Sequence, residues 1–443
     1  MVRTLLRALG IIYFMAFVSL GVQAQGLLGS RGILPFADFL QAARDSVGSA
    51  AYWDLPSVLW LNWSDAALHT VWILGAVCAL VAAIGYRQRL ALAACVVLWL
   101  SLCSVGQDFL SYQWDTLLIE AGFLAIFADD SLVRIWLFRW LVFRLMFFSG
   151  VGKLLTGDAT WRNLTALHFH YETQPLPTPL AWYMCQLPMW FQKVSTGFVL
   201  FAEVGVPFLI FAPRRLRYAG GGVLILLQIL ILLTGNYTFF NWLTILLALF
   251  LFVEPKPIGW SRTHQVVSGA LVAFVGVTSG LLLLNLFHAP LLPGGATIMD
   301  AISPFDLVNP YGLFTVMTVT RPEIIVEGSN DDVTWLAYEF RYKPGDVNRA
   351  PPVVAPFQPR LDWQMWFAAL GSYQENRWFA NFMTRLLEGE PSVVRLLSYN
   401  PFPHAPPKHI RARVFQYHFT RFGERAWWRR EEEGIYFPAV SLK

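Results

Sequence analysis

The strongest constraint on this chain is a series of apolar runs, each about as long as a bilayer is thick. A helix needs about 20 mostly apolar residues to cross the ~30 Å hydrocarbon core, and there every backbone N–H and C=O must be satisfied within the protein. Nine stretches fit that pattern: 4–24, 66–85, 90–107, 112–128, 133–153, 196–212, 218–234, 237–253 and 265–287. Only 14% of the 443 residues are charged, against about 25% in a typical soluble domain, and 56% are hydrophobic. These features predict a polytopic α-helical membrane bundle of nine spans over 1–287. A net charge of +4 without a long basic run argues against a nucleic-acid partner.

Short loops indicate orientation, because cytoplasmic loops are rich in Lys and Arg. If nine spans alternate, Arg3, Arg7, Arg87, Arg89 and Arg134 fall on one side, with Arg214, Arg215, Arg217, Lys256 and Arg262. The opposite short loops, "GQDFLS" and "TGNYT", carry neither residue. The expected topology has a cytoplasmic N-terminus and a lumenal or periplasmic C-terminus. The first run also reads as a cleavable leader, with a basic start, an apolar centre and a small-residue ending at Val22-Gln23-Ala24. Cleavage would leave the other orientations unchanged. Two outside loops are long, 25–65 and 154–195. Sequons begin at Asn62, Asn163 and Asn236, all outside in this scheme. The four cysteines form no C-x-x-C pair, so a disulfide framework is not expected; Cys103 and Cys185 could pair only in an oxidising compartment.

Beyond a linker at 288–304, composition changes. "FTVMTVT", "EIIVEGS", "VTWLAYEFRYKPG" and "HIRARVFQYHFT" read as strands between turn residues. "DWQMWFAALG" and "NRWFANFMTRLLEG" read as short helices ended by Gly. A β-rich soluble domain with helical inserts is expected over 305–443, large enough to bury its own core. Trp363, Trp366, Phe367, Trp378 and Phe382 either fill that core or offer apolar contacts to a partner.

Charges inside the runs demand partners. Asp115 and Glu120 lie in the fourth, Arg139 and Arg144 in the fifth and Glu203 in the sixth. Each costs about 2.5–3.5 kcal/mol at the bilayer centre unless it pairs, faces a cavity or snorkels. Pairing Arg144 with Glu120 or Glu203 would either lock helix packing or line a polar cavity with chemistry. Lys153 ends the fifth run after Gly150 and Gly152. It reads as a snorkelling interface lysine or as a base whose pKa is lowered by apolar surroundings. In the second case Asp158, His168 and Glu172 are its candidate companions.

His168, His170 and Glu172 alternate in "NLTALHFHYETQPLPTPLAWY". They would share a face only on a strand, whereas helical zinc motifs space their ligands at i, i+4. No fourth ligand is near, so no metal is expected. Pro175, Pro177 and Pro179 with Trp182 and Tyr183 suit a stiff loop at the outer interface, a pocket rim shared with Lys153 and Trp161. There is no G-x-S-x-G, phosphate loop or H-E-x-x-H, and no cofactor is expected.

Several strings carry a family likeness: "SYQWDTLLIEAGFLAIF", "FRLMFFSGVGKLLTGDATWRNLTALHFHYETQPLPTPLAWY", "GNYTFFNWLT", "NPYGLFTVMTVTRPEIIVEGSNDDVTWLAYEFRYKPG", "NPFPHAPPKHIRARVFQYHFT" and "WWRREEEGIYFP". Together they closely resemble the lipase maturation factor family, over nearly the whole chain. That resemblance implies a multi-pass protein of the endoplasmic reticulum membrane, or of the inner membrane in a bacterial host. It implies a chaperone-like role in folding and assembling secreted lipases through a lumenal C-terminal domain, with a client lipase and membrane lipid as partners. The bundle is more faintly similar to the membrane region of vitamin K-dependent gamma-carboxylase, through Gly152-Lys153 and Trp161. In that enzyme the matching lysine acts as a base, which implies an alternative reading as a membrane enzyme built around Lys153.

Overall fold

The computed structural model describes residues 1–257 and 261–442, so the tail expected over 305–443 is described to Leu442. The chain opens with α1 (Val2–Leu28), the short α2 (Phe36–Val47) and α3 (Ala51–Asp54), and the hairpin of α4 (Asp65–Ile84) with α5 (Gln88–Val105). Ser64 caps α4 by accepting a hydrogen bond from the Ala67 N–H. Next come α6 (Gln113–Ile126) and α7 (Leu132–Leu155), then the short α8 (Ala159–Arg162), α9 (Ala166–Thr173) and α10 (Pro179–Cys185). The helix α11 (Met189–Leu200) continues through a π turn, Phe201–Gly205, and a 3-10 turn, Val206–Phe211. Pro207 explains that change of pitch: it lacks an N–H and its ring clashes with the carbonyl four residues back, that of Glu203. The helices α12 (Arg214–Thr234), α13 (Phe240–Ala248) and α14 (Arg262–Leu286) complete the bundle.

All nine apolar runs are helical, but among the described residues only six helices are, by length and composition, long and apolar enough to cross a membrane, against the nine spans expected. These are α1, α4, α5, α11 with its extension to Phe211, α12 and α14. The other three runs depart for a common reason. α6 has 14 residues, and α13 with its 3-10 extension ends at Phe252. α7 is long enough but carries Arg134, Arg139, Arg144 and Lys153, all buried. These helices lie inside the protein, where neighbours satisfy polar groups that lipid could not. Arg139, for example, donates to the carbonyls of Phe250 (3.2 Å) and Val253 (2.6 Å).

The stretch 288–304, expected as a linker, contains α15 (Gly295–Ile302). The tail follows with β1 (Pro322–Ser329), β2 (Leu336–Ala337), β3 (Glu339–Phe340), α16 (Arg360–Ala369), α17 (Arg377–Leu387), α18 (Pro391–Val394), β4 (Leu397–Tyr399), β5 (His409–Phe419) and β6 (Trp428–Val440). The main sheet is antiparallel in the order β2-β1-β5-β6, with Ile325 opposite Arg413 and Phe419 opposite Trp428. "FTVMTVT" forms no strand. Its backbone is satisfied by side chains of the bundle instead: Thr156 donates to Thr315 O (2.8 Å), Trp161 to Phe314 O (3.0 Å) and Thr173 to Thr318 O (2.8 Å).

The tail does not bury a core apart from the bundle. One continuous cluster joins Leu20, Trp99 and Leu118 to Val326, Trp363 and Phe379. α1 takes part directly. Its Ser19 hydroxyl accepts from the Gln358 N–H (2.8 Å), and Gln23 donates to Gln358 O (2.8 Å) and accepts from the Arg360 N–H (3.0 Å). These bonds fix the start of α16, where backbone donors otherwise lack partners. The four cysteines are unpaired. Asn236 is buried and fully engaged, donating to Leu176 O (3.1 Å) and Pro352 O (2.9 Å) and accepting from the Val354 N–H (2.7 Å), which removes it as a glycan acceptor.

Candidate functional site

Apart from Arg139, which donates to backbone carbonyls, the charges singled out in the apolar runs form three buried ion pairs, each tied to the segment beyond the bundle. Asp115 takes both terminal nitrogens of Arg360, at 2.9 Å each, and Arg360 also donates to Phe109 O. Arg144 pairs with Glu120, as the sequence allowed, and donates to Asn309 O (3.0 Å). The second oxygen of Glu120 accepts from the Tyr311 hydroxyl (2.7 Å) and the Asn309 N–H (3.1 Å). Glu203 pairs with Lys153 at 2.7 Å. Bidentate and multiply hydrogen-bonded geometry is what lets such charges tolerate burial.

Two glycines explain why Lys153 is enclosed. A Cβ on Gly150 would stand 2.8 Å from Cβ of Glu203, so only glycine lets α7 approach the π turn. A Cβ on Gly152 would stand 2.7 Å from Cγ2 of Thr315. Lys153 therefore lies between the π turn and the 313–315 segment. Its ammonium donates to Glu203 Oε2 (2.7 Å), Leu313 O (2.7 Å) and Ser149 O (3.4 Å), and sits 5.2 Å from the centre of the Trp161 ring. Lys153 is thus buried within the protein and does not snorkel to an interface, and its nitrogen has three oxygen acceptors.

Beside it opens a cavity of about 420 Å³, lined by Lys153, Glu203, Trp161, His170 and Tyr237 at its polar end and by apolar side chains of α11 and α12 elsewhere. His170 Nε2 lies 3.1 Å from the Tyr237 hydroxyl, and that hydroxyl donates to Gln174 Oε1 (3.0 Å). Gln174 is oriented by its amide nitrogen, which donates to Thr234 O (2.9 Å). This chain of bonds assigns the His170 proton to Nε2. Burial, and then the Lys153 ammonium, push the His170 pKa down to about 4, so the imidazole is neutral at physiological pH.

The other expected companions of Lys153 are engaged elsewhere. α9 is a helix, so His168, two residues before His170, points about 200° away around its axis and does not line the cavity. The same geometry undoes an alternating metal face, and no cluster of three His, Cys, Asp or Glu side chains suited to a metal occurs among the described residues. Asp158 caps α8 through the Thr160 N–H (2.7 Å) and accepts from the Met317 N–H (2.8 Å). Partial burial raises its pKa, but these bonds outweigh burial and hold it below the usual carboxylate value. Glu172 accepts from the Phe419 N–H (2.8 Å), with His418 Nδ1 3.0 Å from its other oxygen, so it fastens β5 to α9. Trp182 is buried on the tail, donating to Thr420 Oγ1 (3.1 Å), while Tyr183 is exposed.

Arg321, which carried no signal in the sequence, grips the proline loop. It donates to the carbonyls of Glu172 (2.6 Å), Gln174 and Pro175 (3.0 Å) and to Glu323 (2.8 Å), with its guanidinium 5.0 Å over Trp428. Lys343 completes this buried group, 2.9 Å from Glu323. Arg360 did carry a signal: a cation in the first turn of α16 opposes the helix dipole and demands a carboxylate. Of the five aromatic contact candidates, Trp363, Trp366, Trp378 and Phe382 are buried, which corrects their reading as a partner surface. Trp366 spends its N–H on Thr173 O (2.9 Å). Phe367 alone is exposed, at 42%.

Six membrane-length helices among the described residues, around buried ion pairs and continuous with a β-sheet tail, fit a multi-pass membrane protein. Comparison with known proteins gives its family. Residues 1–256 match the lipase maturation factor transmembrane domain and 307–438 the lipase maturation factor C-terminal domain. Lipase maturation factor 2 of Gallus gallus is 36% identical, covering 99% of this chain and 81% of the relative. Lipase maturation factor 1 of Bos taurus is 35% identical over 99% of this chain and 88% of its own length; that of Homo sapiens is 34% identical over 99% and 87%. The chain belongs to the lipase maturation factor family. No solved structure matches it significantly.

Proposed function

We propose that the protein is a membrane-anchored, chaperone-like maturation factor for secreted lipases, engaging its client through the tail. The observation that carries this is similarity to proteins named lipase maturation factors over both bundle and tail, not over one part alone. The tail faces the lumen of the endoplasmic reticulum, or the periplasm in a bacterial host, and the N-terminus is cytoplasmic. With α6, α7 and α13 counted as buried crossings of the bundle, nine helical segments alternate and the loop Arg and Lys fall on one side, which supports that orientation. Single cysteines placed at Asn62 and His404 test it by labelling with an impermeant thiol reagent on sealed cells or microsomes.

Because α16 belongs to the common core, deleting the tail would unfold the bundle and could not report on a client. Exposed apolar side chains serve better: Phe367, Val333, Phe422 and Ile435. Their replacement by Asp, one at a time, should leave thermal unfolding unchanged. It should lower secreted activity of a co-expressed lipase for those that touch it. Full lipase activity with all four variants would overturn tail engagement.

A second reading, a membrane enzyme centred on Lys153, is supported by the cavity that Lys153 shares with Trp161 and His170. A lipase-maturation activity retained in Lys153→Met, at wild-type abundance, would count against it.

A further inference from the structure

The cavity beside Lys153 has a second property that neither reading of function uses. Leu180, Val194, Leu230 and Leu233 line it and are also exposed on the molecular surface. Val194 belongs to α11 and Leu230 and Leu233 to α12, both long and apolar enough to lie in a bilayer. The cavity therefore opens sideways between two lipid-facing helices. Its volume, about 420 Å³, falls within the ~300–1,000 Å³ of small-molecule sites. An apolar lateral mouth admits molecules already dissolved in the membrane.

The polar end restricts the head group. Lys153 and Glu203 cancel in charge, and the Lys153 nitrogen is already bonded to Glu203, Leu313 O and Ser149 O, so no unpaired cation is left for a carboxylate or phosphate. His170 is uncharged and spends its Nε2 proton on Tyr237. A buried hydroxyl is unused at this end: Ser149 lines the cavity, is 3% exposed, and its oxygen has no hydrogen-bond partner. A buried hydroxyl without a partner is unfavourable, and a ligand oxygen would recover that loss.

We propose that this cavity binds a neutral single-chain lipid from the membrane, its acyl chain between α11 and α12 and its ester or hydroxyl head on Ser149. The class is that of a monoacylglycerol, not a fatty-acid anion or a phospholipid. The site is independent of whether Lys153 acts in catalysis and of which client the tail holds.

The test uses full-length protein in phosphatidylcholine nanodiscs with a diazirine- and alkyne-bearing monoacylglycerol. Labelling should concentrate on 191–199 and 227–234 and should be competed by monooleoylglycerol but not by oleate at alkaline pH. Ile231→Trp, which fills the cavity wall, should reduce labelling at least about fivefold, roughly 1 kcal/mol of affinity. Val272→Trp, on the exposed face of α14, should not change it. Should Ile231→Trp fail to fold, Ser149→Ala serves, and should weaken competition about 2- to 10-fold through loss of one neutral hydrogen bond. Uncompeted labelling spread over α4 and α14 would overturn the site. Competition by oleate as strong as by monooleoylglycerol would overturn the neutral head.

Discussion

Replacing Arg360 with Met keeps the length of an apolar stem but removes the guanidinium that holds Asp115. Both side chains are almost fully buried, at 1% and 0% exposure. Cutting one partner from such a pair leaves an uncompensated buried charge and costs about 3–5 kcal/mol. The two 2.9 Å bonds are parallel and bidentate, so the upper half of that range applies. Unfolding entropy of about 2.1 cal/mol/K per residue, over 443 residues, gives about 0.9 kcal/mol per kelvin, so Arg360→Met should lower the unfolding midpoint by about 4–5 °C. Asp115→Leu alone should be comparably damaging. Asp115→Leu with Arg360→Met replaces the pair by packed apolar groups and should recover most of the loss, because the desolvation cost vanishes with the charges. The assay is scanning fluorimetry of the four proteins in one detergent. A double variant no better than the worse single, or an Arg360→Met protein indistinguishable from wild type, would refute the assignment of that energy to the ion pair.

Three further outcomes are expected. Burial, with the charges of Asp115 and Glu120, raises the Asp306 pKa to about 7; the folded state therefore holds a proton there that the unfolded chain releases near 4, and stability falls as pH rises from about 4 to 7. Asp306→Asn, tolerated at its left-handed φ of 51°, should flatten that fall and raise the unfolding midpoint at about pH 8 while changing little at about pH 4.5. In histidine-labelled protein, nitrogen NMR should show His170 neutral down to about pH 4, and a midpoint near 6.5 would contradict its enclosure. Gly150→Val should displace the π turn, destabilise the protein by about 1–3 kcal/mol and weaken monoacylglycerol labelling, which circular dichroism melts and the crosslinking assay both report.

How legible the molecule is depends on how local each signal is. Helices in the nine runs are written in consecutive residues, so their existence could be read, while their burial could not. α6 and α7 look like spans by hydropathy, yet their charges are paid for by partners such as Tyr311 and Arg360, some 190 to 245 positions away. The Arg144–Glu120 pair was within reach because both ends lie in neighbouring runs. "FTVMTVT" alternates as a strand does, but its hydrogen bonds go to Thr156, Trp161 and Thr173, which no local pattern announces. β6 was missed because its charged half, "RREEE", lacks strand composition; it lies at the sheet edge, where charge guards against unwanted pairing. The two histidines were noticed for the wrong geometry: on a helix only His170 turns toward Lys153.

The bonds from α1 to the start of α16 bear on how the protein is made. Ser19 and Gln23 leave the ribosome before their partners at Gln358 and Arg360, which are synthesised up to 339 residues later. At about 5–20 residues per second, that delay is roughly 17–70 s. Through that interval the first helix presents two unmatched polar side chains to its surroundings. The nascent bundle is then an unfinished assembly, itself in need of guarding until its last third arrives.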